Sequence, residues 1–258
     1  MKSPWSPDQY ERFRDERSQP FRDLLDLVRP RPGMRVVDLG CGTGELTREL
    51  HRRLGARETL GIDSSETMLE QSGRLAGDGL AFERASVEDF RRRSEWDLVF
   101  SNAALHWCED HPALFGRLAE ALTEGGQLAV QVPANHDHVA FLTAAELAAE
   151  EPYCTALDGW VRRSPVLAPE EYARLLDRLG FAEQHVRLVV YPHRLDAPAD
   201  VVEWVKGTLL TAYRSRLSEE FYGRFLAEYR ERLLPALGEE RPHFYPFKRV
   251  LAWGLRGS

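Results

Sequence analysis

The sequence lacks a long apolar run. Its longest stretch without a formal charge, residues 125–136, spans twelve residues, against about 18 for a helix that crosses a membrane. After Lys2 the segment MKSPWSPDQYERFRDER has no apolar stretch of the kind a secretory signal carries. Cysteine is scarce: Cys41, Cys108 and Cys154 are odd in number and form neither a Cys-x-x-Cys pair nor a Cys/His cluster. That excludes a disulfide framework and a zinc site, and a reduced, cytoplasmic protein without a bound metal is expected. A basic excess is also missing. Lys and Arg total 34 against 41 Asp and Glu, a formal charge of −7, which argues against a partner that is nucleic acid or an anionic membrane. Arg91-Arg92-Arg93 is too short to alter this and reads as a solvated loop. What is present is the composition of an ordinary soluble protein, 43% hydrophobic and 29% charged over 258 residues, enough for one or two domains with a core that needs no staple.

Residues 7–28 place Tyr10, Phe13, Phe21, Leu24, Leu25 and Val28 near helical spacing, with Pro7 and Asp8 at the start. Pro20 is expected to break this segment into two helices. From residue 34 strands and helices alternate. Strands are expected at 34–39, 59–62, 80–84, 97–101 and 127–133, and helices at 45–54, 65–75 (starting at Ser64 or Ser65) and 111–122, with Gly125-Gly126 as the turn before the fifth strand. This rhythm implies parallel strands with crossover helices on both faces. Beyond Pro133 it changes. Helices are expected at 139–150, 169–179, 199–213 and 219–237, and strands at 183–191 and 247–255. In the helix at 219–237, Phe221, Phe225, Tyr229 and Leu233 step by four and Ser218 is placed to cap it. There is no internal repeat and no low-complexity segment.

The most informative stretch is Val36-Val37-Asp38-Leu39-Gly40-Cys41-Gly42-Thr43-Gly44, between a buried strand and a helix. Alternate glycines let the backbone turn sharply and approach a ligand closely. Asp63 ends the second strand, where a carboxylate can accept both hydroxyls of a ribose. A dinucleotide fingerprint would read G-x-G-x-x-G; here Glu45 stands at the position of its last glycine, and a carboxylate at that helix N-terminus is poorly suited to a pyrophosphate. Asp38, before the loop, suits an ammonium better than a phosphate. The ligand expected is a nucleoside with a cationic amino-acid tail.

These residues resemble the class I S-adenosylmethionine-dependent methyltransferases over residues 33–133. The resemblance implies an α/β fold: a doubly wound, mostly parallel, seven-stranded Rossmann-like sheet with one antiparallel strand, N-terminal helices and a helical cap. The expected division is an N-terminal cover at 1–30, a cofactor-binding core at 31–135, and the remaining strands with the inserted cap at 136–258. The cofactor implied is S-adenosyl-L-methionine, with S-adenosyl-L-homocysteine as product. Asp38, Gly40, Gly42 and Gly44 match the family's first motif, and Asp63 its ribose acid. Ser64 and Met68 stand on the adenosine side, Ser86 and Val87 where a loop meets adenine, and Asn102 and Ala103 beneath the methionine tail. Many members carry Asp where this chain has Ser86.

A narrower resemblance, to the trans-aconitate 2-methyltransferase family, spans nearly the whole chain. It rests on Trp5-Ser-Pro7, Tyr10, Arg17-Ser-Gln-Pro20, Ser101-Asn-Ala-Ala-Leu-His-Trp107, Asp110-His111, Val130-Gln131-Val-Pro133, Asn135, Glu203-Trp204-Val205 and Tyr245-Pro-Phe-Lys-Arg249. It implies that Tyr10 and Arg17 close the site over the cofactor, the alternative being helix packing and a surface ion pair. His106 is a general base for a hydroxyl or carbon acceptor, or a structural histidine. Trp107, Gln131, Asn135, His136, Trp204, Tyr213 and Arg214 are candidates for holding the acceptor. The family carries Gly-Leu-Arg-Pro where this chain has Leu209-Leu210-Thr211-Ala212, so the positive charge for a substrate carboxylate would have to come from Arg214, Arg216, Lys248 or Arg249. The function implied is methylation of a small, anionic metabolite, first of all O-methylation of a carboxylate. The alternatives are C-methylation of a metabolite such as a prenyl diphosphate, and a non-catalytic module that binds S-adenosylmethionine. A monomer or weak homodimer is expected.

Overall fold

The structure, a computed structural model, describes residues 14–257, with side chains from Ser18 onward. The elements in order are α1 (Arg14–Leu25), β1 (Arg35–Leu39), α2 (Glu45–Leu54), β2 (Glu58–Asp63), α3 (Glu66–Ser72), β3 (Leu80–Arg84), β4 (Trp96–Asn102), α4 (His111–Ala121), β5 (Leu122–Pro133), α5 (Val139–Ala148), α6 (Tyr153–Ala156), α7 (Pro169–Arg178), β6 (Phe181–Leu195), α8 (Ala199–Lys206), α9 (Thr211–Arg214), α10 (Glu219–Leu237) and β7 (His243–Arg256). One seven-stranded sheet runs in the order β3-β2-β1-β4-β5-β7-β6. The pairs β1·β2, β1·β4, β2·β3 and β4·β5 are parallel, and β5·β7 is antiparallel, from Gln127 opposite Leu255 to Pro133 opposite Arg249. The seven-stranded, Rossmann-like sheet with one antiparallel strand that the family resemblance implies is what the chain adopts.

The chain forms two compact units. Among the described residues, one comprises 15–133, 165–189 and 249–257, and the other 134–164 and 190–248. The first holds the parallel strands. One face of its sheet buries Val36, Leu98, Phe100, Ala129, Leu251 and Trp253 against Phe21, Leu24 and Leu25 of α1. The second is a mostly helical unit whose core gathers Tyr153, Trp204, Tyr213, Phe225, Tyr229, Tyr245 and Phe247. In it Tyr229 donates to Ala140 O at 2.9 Å and Tyr153 to Glu228 at 2.7 Å, so these two hydroxyls are satisfied.

Three expectations need correction. Pro20 does not split the N-terminal segment: α1 runs through it. Burying Phe21, Leu24 and Leu25 contributes about 1.5–3 kcal/mol each, together more than the roughly 3 kcal/mol that an interior proline costs. The helix expected at 199–213 is broken after Lys206, at Gly207, into α8 and α9. Leu209 and Leu210 are adjacent and both buried, whereas a continuous helix turns successive side chains about 100° apart; the break lets both face the core. Finally, Gly125-Gly126 is not a turn ahead of the fifth strand but lies inside it. Trp96 pairs with Leu122 and Leu98 with Gln127, so β5 bulges between them, with Gly125 at φ +64°. The helix start expected at Pro7 and Asp8 lies outside the described residues. Ser65, rather than Ser64, caps α3, accepting from Met68 N at 3.4 Å, and Ser218 caps α10, accepting from Phe221 N at 3.2 Å.

Candidate cofactor and acceptor site

The glycine loop leaves β1 and is anchored on the end of β2, where Gly40 N and Cys41 N both donate to Ile62 O at 2.7 and 3.0 Å. Gly40 has φ +82°, and a Cβ there would stand 2.1 Å from the Ala104 Cβ, so this position admits no side chain. Gly42 differs. Its φ is +56°, but a Cβ would meet nothing within 4 Å, leaving space in front of the loop for a ligand. Gly44 precedes Glu45, the first residue of α2.

Asp63 is held in place by the backbone. Its Oδ2 accepts from Gly42 N at 2.9 Å and its Oδ1 from Ser65 N at 2.8 Å. A carboxylate has about four acceptor positions, so each oxygen keeps one for a further donor, and a pair of vicinal hydroxyls fits that requirement. Asp38 is buried, and its Oδ2 accepts from Thr47 Oγ1 at 2.6 Å. Burial pushes its carboxyl up to about 7, against the opposing hydrogen bond from Thr47 and with the Asp63 charge adding to the rise. A buried carboxylate in that state favours a cation. Burial likewise pushes the Cys41 thiol up, which leaves it a packing residue rather than a nucleophile. Asn102, at the end of β4, has an Oδ1 that is buried and without a hydrogen-bond partner among the described residues. Next to it Ala103 holds φ +55°, a left-handed conformation that costs a non-glycine residue about 1–2 kcal/mol, while its N–H donates to Gln131 O at 2.9 Å. Two acids, an orphaned amide oxygen and an open backbone loop fit a nucleoside with an ammonium tail. Among the described residues no group of three or more His, Cys, Asp or Glu is placed to hold a metal ion.

On the adenosine side Met68 is buried, Ser64 is exposed, and Ser86 and Val87 are half-buried. Ser86 Oγ accepts from Glu88 N at 3.1 Å. His106 and Trp107 are half-buried on the short 3-10 turn Leu105–Trp107, with ring centroids 4.8 Å apart. Gln131 is fully buried near the end of β5, opposite Asn102. Arg17 lies on α1 ahead of Ser18, the first residue whose side chain is described, and Tyr10 lies outside the described residues.

The remaining acceptor candidates belong to the mostly helical unit. Asn135 is buried, accepts from Lys248 N at 3.0 Å and donates to Tyr245 Oη at 3.5 Å. His136 is exposed. Trp204 and Tyr213 are core residues, Tyr213 stacked on Phe225 with centroids 5.0 Å apart. Arg214 is exposed and pairs with Glu219 at 3.8 Å. Residues 209–212, which replace the family's arginine-bearing segment, are all buried.

Two supports escaped the sequence reading. Thr47 is the side chain that positions Asp38; its place on the buried side of the first turn of α2 was the available signal. His111 is buried, with Nε2 3.0 Å from Leu105 O and Nδ1 2.5 Å from Tyr172 Oη. A carbonyl can only accept, so Nε2 carries the proton and Nδ1 accepts from the tyrosine. Burial holds this imidazole below its ordinary value, and the neutral ring pins the turn that carries His106.

A family model described as "Methyltransferase domain" matches residues 10–186. A protein of Deinococcus radiodurans named trans-aconitate 2-methyltransferase is 45% identical over 253 residues, covering 96% of each chain. The chain belongs to the trans-aconitate 2-methyltransferase family. It is an S-adenosylmethionine-dependent methyltransferase. Solved structures share the family's fold at low identity. The YcgJ protein of Bacillus subtilis superposes with a TM-score of 0.60 at 15% identity, covering 93% of this chain and 99% of its own. A phosphoethanolamine N-methyltransferase of Haemonchus contortus, solved with S-adenosylmethionine, gives 0.54 at 15% identity, covering 93% of this chain and 53% of its own. No helix among the described residues is long and apolar enough to cross a membrane.

Proposed function

We propose that this methyltransferase esterifies a carboxylate of a small polycarboxylic acid of the trans-aconitate type. The observation that carries this reading is the likeness over 96% of both chains to a protein that bears that activity as its name. Bound S-adenosylmethionine supplies an electrophilic methyl group on a sulfonium. The chain's own work is to bind, align and exclude water, and alignment alone contributes about 7–11 kcal/mol to such displacements. Asp63 takes the ribose hydroxyls. Asp38 and the Asn102 Oδ1 receive the ammonium, and Gly42 gives the nucleoside room against bare backbone. A carboxylate acceptor is already a nucleophile, so no side chain has to remove a proton.

The test is turnover of labelled cofactor against trans-aconitate, other di- and tricarboxylates, prenyl diphosphates and phenols. The expected product is a methyl ester, released by mild alkali. An alkali-stable product, or turnover confined to the diphosphates, overturns the reading. His106 gives a second check. In His106→Ala, kcat for a carboxylate acceptor is expected to fall less than about tenfold, whereas loss of a needed general base costs about 10²–10⁴-fold.

Asp38 makes cofactor binding depend on pH. With its carboxyl near 7 in the free enzyme, an adjacent ammonium favours the ionised form and lowers that value. Affinity is then full above about pH 7 and weakens as pH falls through it, approaching tenfold per unit. Calorimetry with S-adenosylhomocysteine between about pH 5 and pH 8 measures this. Asp38→Asn flattens the profile, and Thr47→Val, which removes the opposing hydrogen bond, moves its midpoint up. A flat wild-type profile would place the ammonium elsewhere.

A further inference from the structure

Four cations could replace the family arginine that residues 209–212 lack, and the structure separates them. Arg214 is exposed and paired with Glu219. Arg216 is exposed, lies over the Trp160 ring at 3.9 Å and donates to Ala212 O. Lys248 is paired with Asp137. Arg249 alone of the four is buried, 4% exposed, and it stands on β7 opposite Pro133, the last residue of β5.

Gln131 lies diagonally across the ladder from Arg249, two residues before Pro133, so both side chains leave the same face of the sheet. The Arg249 Nη1 is 3.4 Å from Gln131 Oε1. A guanidinium only donates, which fixes the amide oxygen toward it and turns the amide NH2 away. That NH2 is on a side chain with 0% exposure and has no hydrogen-bond partner among the described residues. A buried donor left so costs about 1–3 kcal/mol, and it needs an acceptor. This donor stands beside a guanidinium and in register with Asn102 at the carboxyl end of the parallel strands, the edge where such sheets bind their ligands. Water would satisfy it weakly. A carboxylate satisfies it better, because an oxyanion takes the amide proton in a charge-assisted bond and lies within reach of the neighbouring guanidinium N–H groups.

We propose that Gln131 and Arg249 form a clamp for a carboxylate of the acceptor that is not itself methylated, and so select polycarboxylates over monocarboxylates. The clamp deepens the polycarboxylate reading above and rests on it. Gln131 sets the direction of the anion, and Arg249 supplies the charge that the missing cap arginine does not.

The experiment compares wild type with Arg249→Lys, Gln131→Leu and Gln131→Glu. It measures KM and kcat for trans-aconitate, calorimetric binding of trans-aconitate to enzyme saturated with S-adenosylhomocysteine, and the Kd of S-adenosylhomocysteine itself. Expected for Arg249→Lys and Gln131→Leu is a rise in KM of about tenfold to a hundredfold, and more for Gln131→Glu, which sets an anion against an anion while still facing Arg249. The Kd of S-adenosylhomocysteine is expected to stay within about threefold in all three, which also reports an intact fold. An unchanged KM in the two glutamine variants overturns the clamp and leaves the proposed function standing. A cofactor Kd that rises in step with KM overturns it as well, since the pair would then hold the methionine carboxylate. Should wild type bind trans-aconitate but not methylate it, the clamp is judged by the binding data and the functional reading fails alone. Absence of both binding and turnover overturns both.

Discussion

Asp63→Ala is expected to weaken S-adenosylmethionine by about 10²–10⁴-fold, from two hydrogen bonds to a charged acceptor at about 1.5–3 kcal/mol each. The residue does a second job in the structure. Its two oxygens hold the Gly42 and Ser65 N–H groups, so alanine also releases the loop that faces the ligand. Asp63→Asn should fall between alanine and wild type. An amide has one acceptor oxygen, so one of those two backbone donors would face an NH2 group instead. Calorimetry with S-adenosylhomocysteine measures the affinity, and far-ultraviolet circular dichroism reports whether the sheet survives. An alanine variant that binds within threefold of wild type would remove the ribose from Asp63.

Gly40→Ala and Gly42→Val, two residues apart, are expected to fail in different ways. At Gly40 the methyl group would meet the Ala104 Cβ at 2.1 Å, at a φ of +82°. A left-handed non-glycine residue costs about 1–2 kcal/mol and overpacking about 1–3 kcal/mol. At about 2–4 °C per kcal/mol the melting temperature should drop by roughly 5–15 °C. At Gly42 a Cβ meets nothing within 4 Å, so valine should cost only the backbone term, about 1–2 kcal/mol. Its methyl groups instead fill the space assigned to the nucleoside, and cofactor affinity should fall at least about a hundredfold. Thermal melts with and without S-adenosylhomocysteine separate the two. Loss of stability without loss of binding in Gly42→Val would mean that the open space in front of the loop is not the cofactor's.

The path from sequence to site was uneven in a way that local and non-local physics explains. The bounds of α2 and β3 match the sequence reading residue for residue, because amphipathic spacing and short apolar runs are local signals. The Gly-x-Gly-x-Gly loop, the acid before it and the acid ending the second strand were equally legible, since they lie within one strand–helix–strand unit. The same reading misplaced Pro20 and the helix at 199–213. At both, burial of neighbouring leucines and a phenylalanine outweighs what the local sequence prefers. Trp204 and Tyr213 read as candidate pocket residues because aromatics suit both a pocket and a core. Only the cluster around them, with Tyr245, Phe247 and Phe225, places them in the core.

By itself the sequence determined the order of strands and helices, the glycine loop with its two acids, and the family the chain belongs to, all of which are carried by contiguous or regularly spaced residues. The tertiary structure decided the rest. It raised the Asp38 carboxyl to about 7 by burying it, against the opposing hydrogen bond from Thr47, made Gly40 irreplaceable through Ala104 from beyond the fourth strand, and sorted four candidate cations down to Arg249. It also turned the Gln131 amide by a contact across 118 residues of chain. Burial, close approach and hydrogen-bond direction are properties of residues that meet only after the sheet has closed.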